Sequence, residues 1–108
     1  IRAVNDDVML FAGLWTPPSD GADSAGTFAV LTTSPNELMA GIHNRMPVIV
    51  RGTDAGAWLS SADAPPGAMV PFPAEEMEAF PVSTRVNSPK NNDASLCAPV
   101  EPERGLFG

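Results

Sequence analysis

A single histidine, His43, stands eleven residues after Thr32 and two before Arg45. An imidazole takes up and releases a proton near neutral pH, which suits general acid or base work, and a guanidinium beside it can hold an anion. The competing reading of a solitary histidine is that it is structural or merely solvated. Other candidates have stronger rivals. Cys97 paired with His43 would supply a nucleophile, because a thiolate needs a nearby base or cation. Cys97 lies between Leu96 and Ala98, however, where cysteine behaves as a small buried hydrophobe. Glu75 and Glu76 adjoin a turn and are expected to be solvated. Trp15 and Trp58 offer faces for base stacking, yet each belongs to an apolar run and is expected in the core. One His and one Cys make no zinc pattern, and no phosphate-binding glycine loop or GxSxG turn occurs. No metal or cofactor is expected.

The elements that must position these residues centre on Thr27 to Val50. Phe28 to Leu31 reads as a strand, and Ser34-Pro35-Asn36 as the turn that ends it, since proline keeps Ser34 out of the helical region. Asn36 is a helix N-cap for Glu37 to Ala40, with Leu38, Ile42 and Met39 as candidates for the core. Gly41 weakens the helix near its end, and Pro47 commits Met46 to an extended conformation. His43 and Arg45 therefore fall where helix becomes strand, and Met46 to Val50 is the second strand. Upstream, Val8 to Trp15 reads as one buried strand with a bulge or close backbone approach at Gly13, followed by a loop from Thr16 to Gly26. Downstream come a short helix started by Thr53 or Asp54, a proline-rich connection over Ala62 to Pro73, and a strand within Glu75 to Ser83. A turn over Asn87 to Asp93 and a last short turn capped by Asp93 or Ser95 complete the chain before a tail from Pro99.

The 108 residues hold thirteen acidic and six basic side chains, a formal net charge of −7. Such a balance argues against non-specific nucleic-acid binding, which needs a basic face. The basic residues are nevertheless clustered: Arg45 and Arg51 flank the second strand, and Arg85 and Lys90 share an asparagine-rich loop. A local basic groove on an acidic protein stays open. Twelve prolines and nine glycines favour short strands and turns over long helices. The length suits one domain with a core of its own. No apolar run approaches the roughly 20 residues of a membrane span, and the lone cysteine fits a reducing compartment. A first residue of Ile suggests a processed, truncated or partly observed chain.

Five stretches in register, FAGLW (11–15), TFAVLTT (27–33), IHNRMPVIV (42–50), AWL (57–59) and PVSTRVNSPKNND (81–93), resemble the second half of an SRAP domain, the SOS-response-associated peptidase family. The resemblance spans roughly residues 8 to 100. It implies an α+β fold of short strands around a central, barrel-like mixed β core, with a groove for single-stranded DNA. It also implies a sensor of abasic sites whose N-terminal cysteine attacks the ring-opened sugar aldehyde and forms a thiazolidine crosslink. His43 matches the histidine of the H-x-R-M-P motif and would move a proton to and from the sugar oxygen. Arg45 would hold a phosphate beside the lesion, and Thr32 would hydrogen-bond the substrate. Arg85, Asn87 and Lys90 fall in the matching loop as further DNA contacts. The implied location is cytoplasmic, nucleoid-associated when acting on DNA.

The family's cysteine, asparagine and glutamate belong to its first half, and Cys97 is not that nucleophile. Residues 1–108 thus read as the C-terminal part of one domain, with unpaired strand edges and apolar surface awaiting an N-terminal half or a partner. Two alternatives remain open: a non-catalytic acidic α+β module that docks a protein partner, and a hydrolase built on Cys97 and His43.

Overall fold

The computed structural model describes residues 1–19, 25–60, 67 and 69–101. These form eight short strands and two short helices: β1 (Arg2–Ala3), β2 (Leu10–Phe11), β3 (Gly13–Thr16), β4 (Thr27–Val30), β5 (Thr32–Thr33), α1 (Glu37–Ala40), β6 (Met46–Pro47), β7 (Ile49–Val50), α2 (Ala55–Ser60) and β8 (Met77–Glu78). The α+β mixture is the expected one. Half of the proline-rich connection, 62–66 and 68, lies outside the described residues, as do 20–24 of the loop expected between Thr16 and Gly26 and the tail beyond Glu101. The chain divides into two compact units, Arg2–Glu78 and Ala79 onward with Ile1.

In the first unit, each apolar run that reads as one strand is two. The run from Val8 to Trp15 breaks at Ala12 and that from Met46 to Val50 at Val48, while the strand expected over Phe28 to Leu31 ends as β4 at Val30 and resumes past Leu31 as β5. Each half then takes a different partner: β2 pairs with β7, β3 with β4, and β5 with β6, all antiparallel. Extending each register by one residue sets Ala12 opposite both Val48 and Leu31, and Leu31 opposite Val48. The backbone confirms this meeting point. Ala12 donates its N–H to the Val48 carbonyl (2.8 Å), Val48 to Leu31 (2.9 Å), and Leu31 to Ala12 (3.0 Å). Three strands thus close a triangle of hydrogen bonds in which every amide of the corner is used, and Ala12 and Val48 are fully buried there. At Gly13, one step beyond, an added Cβ would come within 3.3 Å of the Ala29 carbonyl, so the close approach expected at this glycine is present.

The corner also corrects the expectation of a barrel-like mixed core. The described residues form four two-stranded ladders, every one antiparallel, with no closed barrel among them. Strands of two to four residues that change partner at a corner do not run far enough to close a sheet on itself. The strand expected within Glu75 to Ser83 shrinks likewise: Ala74–Glu76 is a 3-10 turn and only Met77–Glu78 is extended, antiparallel to β1.

The core beneath the corner is small and rich in methionine. Met39, Met46, Ile49 and Met77 cluster, with Met9, Leu38 and Phe72 packed against them. Unbranched thioether side chains fill the irregular space between elements too short to present regular faces. Ile42 does not join them. Helix α1 ends at Ala40, so Ile42 falls beyond it and is exposed. Trp15 and Phe28, opposite each other on β3 and β4, are also not core: they are 70% and 79% exposed. Trp58 is half-buried. Leu14, on the other face of the same ladder, is exposed too. No helix among the described residues is long and apolar enough to cross a membrane.

The second unit is built from caps. The Ser83 hydroxyl accepts the Arg85 N–H (3.2 Å) at the start of a 3-10 turn, Thr84–Asn87. The Asp93 carboxylate accepts the Ser95 N–H (2.9 Å) to start another, Ala94–Cys97. Asp93 is thus the cap the sequence suggests. Val82 bridges Pro99, and the Val100 N–H donates to the Pro81 carbonyl (3.0 Å). Cys97 departs from expectation, being exposed rather than buried, because a single 3-10 turn offers it no second layer to pack beneath.

Met46 is 1% exposed at the centre of the methionine cluster. Met46→Ala is expected to cost about 2–5 kcal/mol of stability in urea unfolding, and the volume-conserving Met46→Leu under about 1.5 kcal/mol. Equal and small losses for both variants would contradict this packing.

Candidate functional site

The strap that carries His43 is fastened at both ends. Asn36 secures the first. Its Oδ1 accepts the Met39 N–H (2.9 Å) as the N-cap of α1, while its Nδ2 donates to the Phe72 carbonyl (2.6 Å) and to the Met77 thioether (3.3 Å). The Asn36 N–H meets the Met46 sulfur at 3.3 Å. One side chain thus joins helix, core and the turn before β8. At the helix exit the Met39 carbonyl accepts both the Ile42 and His43 N–H groups at 2.8 Å, which sets His43 one turn past α1. Met46, fully buried in β6, holds the far end. His43, Asn44 and Arg45 are exposed between the two anchors.

Within the strap, the Arg45 N–H donates to His43 Nδ1 (3.2 Å). An accepting Nδ1 leaves the proton of the neutral ring on Nε2, so Nε2–H is the donor that His43 offers outward. The Arg45 side chain turns to β5. Its Nη2 donates to the Thr32 carbonyl (2.9 Å) and the Thr32 hydroxyl (3.1 Å), and its Nε approaches the same hydroxyl at 3.3 Å. The structure therefore brings together three of the residues singled out in the sequence, with Arg45 as the link between His43 and Thr32. Sequence reasoning assigned Thr32 to the substrate and missed that both its oxygens hold Arg45. The strand register carries that information, since Thr32 faces Pro47 across the β5–β6 ladder.

Charge distinguishes Arg45 from its neighbours. Arg2 pairs with Glu78 directly across the β1–β8 ladder. Arg51 makes a two-pronged pair with Glu76, one arm at 2.8 Å, and lies 4.9 Å from the centre of the Phe72 ring. This guanidinium holds the Glu76 carboxyl below its ordinary value. In the second unit, Arg85 reaches Asp93 and Ser95 at 3.4 Å each, and the Asp93 carboxyl is lowered chiefly by its Ser95 hydrogen bonds. Asn91 Nδ2 donates to the Arg85 carbonyl (2.8 Å) and ties that loop to itself. Asn87 and Lys90 are exposed on it. Among the described basic side chains, Arg45 and Lys90 face no carboxylate. Of these arginines, Arg45 alone is oriented only by neutral oxygens, so no carboxylate of the described residues offsets its charge. Among the described residues, no three His, Cys, Asp or Glu side chains converge as a metal site requires.

The α+β unit thus presents an imidazole N–H donor beside a guanidinium oriented by neutral oxygens, groups whose chemistry can pass a proton and pair with an anion. The chain belongs to the SOS response associated peptidase (SRAP) family, whose model matches residues 1–89. It is 39% identical over 103 residues to the abasic site processing protein YoqW of Bacillus subtilis, a match over 89% of this chain and 45% of that protein. It is 45% identical over 101 residues to YoaM of the same organism, another abasic site processing protein, across 89% of this chain and 44% of the relative. The abasic site processing protein HMCES of Gallus gallus is 36% identical over 90 residues, 81% of this chain and 26% of that one. A crystal structure of a protein from Bacteroides thetaiotaomicron superposes with a TM-score of 0.76 at 20% identity, covering 92% of this chain and 46% of the other. That last likeness concerns the fold. The chain spans under half the length of these relatives.

Glu76 supplies a test of the ion pairs. Its folded-state value lies below the ordinary 4.5, so the unfolded chain binds the proton more readily. The stability contributed by the pair is present above that ordinary value and lost as pH falls through the folded one. The stability gap between the parent chain and Glu76→Gln should therefore narrow as pH is lowered below 4.5. A gap that widens on acidification would sink the assignment.

Proposed function

We propose that this chain is the histidine-bearing part of an SRAP-type protein that processes abasic sites in single-stranded DNA. The observation that supports the reading is the Arg45 guanidinium, held by the Thr32 oxygens and faced by no carboxylate among the described residues. Such a cation suits a backbone phosphate, a contact that positions the strand and carries no base information. Recognition by backbone and by a missing base makes the target independent of sequence. Arg85, Asn87 and Lys90 are proposed as further contacts from the second unit.

His43 is then the proton carrier for the sugar. Ring opening breaks the C1′–O4′ bond, leaving an aldehyde at C1′ and a hydroxyl at O4′, and Nε2 of His43 is the atom that serves O4′. The amine and thiol of an N-terminal cysteine condense with the aldehyde to a thiazolidine, releasing water. That cysteine belongs to the part of the family domain outside these residues. The same part is the proposed cover of the β3–β4 ladder: Leu14 on one face and Trp15 and Phe28 on the other are exposed, and a strand apolar on both faces reads as an interior one. The same exposed apolar ladder, with the net charge of −7, favours the second reading, a non-catalytic module that docks a protein partner.

The test is crosslinking to an abasic single-stranded oligonucleotide by the full-length protein. His43→Ala should slow the reaction about 100-fold, and a variant that forms and reverses the crosslink at parental rates would overturn the role. Arg45→Ala should weaken single-strand binding and reduce the slope of log affinity against log salt by about 0.7. Absence of any salt-dependent single-strand binding in the parent protein would favour the docking module.

A further inference from the structure

The corner explains why Arg45 finds Thr32 rather than an acid. Val48 donates to the Leu31 carbonyl directly opposite it. Antiparallel pairs alternate between bonded and non-bonded, so the next pair, Thr32 and Pro47, is a non-bonded one. Pro47 loses nothing there by lacking an N–H, and the Thr32 carbonyl points off the ladder's edge, where no strand among the described residues receives it. Arg45, two residues before Pro47, supplies the missing donor through Nη2 (2.9 Å). The Thr32 hydroxyl then accepts from both Nη2 (3.1 Å) and Nε (3.3 Å). A guanidinium has five N–H groups in a rigid fork. The Nε–Nη2 edge is occupied by Thr32, and Nη1 is left to face an anion.

We infer that Thr32 is the positioning residue of Arg45: its carbonyl and hydroxyl together fix the guanidinium so that Nη1 meets a phosphate oxygen. This rests on the reading of Arg45 as the phosphate anchor. It gives Thr32 a different task from a direct hydrogen bond to the substrate. Arginine has a long side chain whose ordering on binding weakens affinity, and a fork already fixed in the free protein avoids that loss.

Two measurements on the full-length protein test the inference. The first is the order parameter of the Arg45 Nε–H by NMR in the DNA-free state. Thr32→Val removes the hydroxyl and keeps the carbonyl, and should release Nε–H to fast motion; Thr32→Ser should restore the ordered signal. An Nε–H as rigid in Thr32→Val as in the parent would overturn the inference. The second is the affinity for labelled oligothymidylate in a double-mutant cycle. Thr32→Val should weaken binding roughly three- to tenfold in the parent and leave it unchanged in Arg45→Ala, because the threonine acts only through the arginine. An equal loss in both backgrounds would mean that Thr32 touches DNA itself, and the inference fails. Should Arg45→Ala bind as tightly as the parent, the phosphate-anchor reading fails instead, and the NMR result still decides the role of Thr32.

Discussion

Three backbone hydrogen bonds, among Ala12, Leu31 and Val48, are the constraint on which the first unit depends. Each of these residues ends one ladder and begins another, so none of the three strands has a single partner. Strands of two to four residues have too little ladder to hold themselves, and a two-stranded pair is marginal in water. Linked through a buried corner, the three pairs share one core and stabilise one another. The site follows from this geometry. Thr32 is the first residue past the corner on one strand, and Arg45 immediately precedes β6, whose next residue beyond Pro47 is the corner residue Val48.

What was legible in the sequence was local chemistry. The end of the strand before Ser34-Pro35, the Asn36 cap, the four-residue helix and the extension imposed by Pro47 involve neighbours in the chain, and all are present. The cap at Asp93 is of the same kind. The partner changes were not legible, because an apolar run such as VMLFAGLW has the same composition whether it pairs with one strand or two. Exposure of Trp15, Ile42 and Cys97 was missed for a related reason. Composition states that a side chain prefers burial, while burial itself needs another layer over it, and elements this short supply few layers.

The site shows how an acidic chain can still present a cation. Arg2, Arg51 and Arg85 are each answered by a carboxylate, which spends their charge on the fold's own surface. Arg45 is oriented by a carbonyl and a hydroxyl, dipoles that fix direction and leave net charge intact. The His43 ring is fixed by the backbone N–H of the same residue. His43 and Thr32 are thereby joined through a single arginine, and no carboxylate among the described residues faces that guanidinium to offset its charge.

The shared corner also sets where this chain can tolerate changes in length. The connection between Thr16 and Thr27 closes one ladder, and residues added there leave every register in place. An insertion of one residue within β3, β4 or any strand that reaches the corner is different. It shifts one ladder against two others that remain bonded and turns each of its side chains to the opposite face. The β3–β4 connection is accordingly where this fold can absorb added length, while the strands that meet at the corner must keep their residue count.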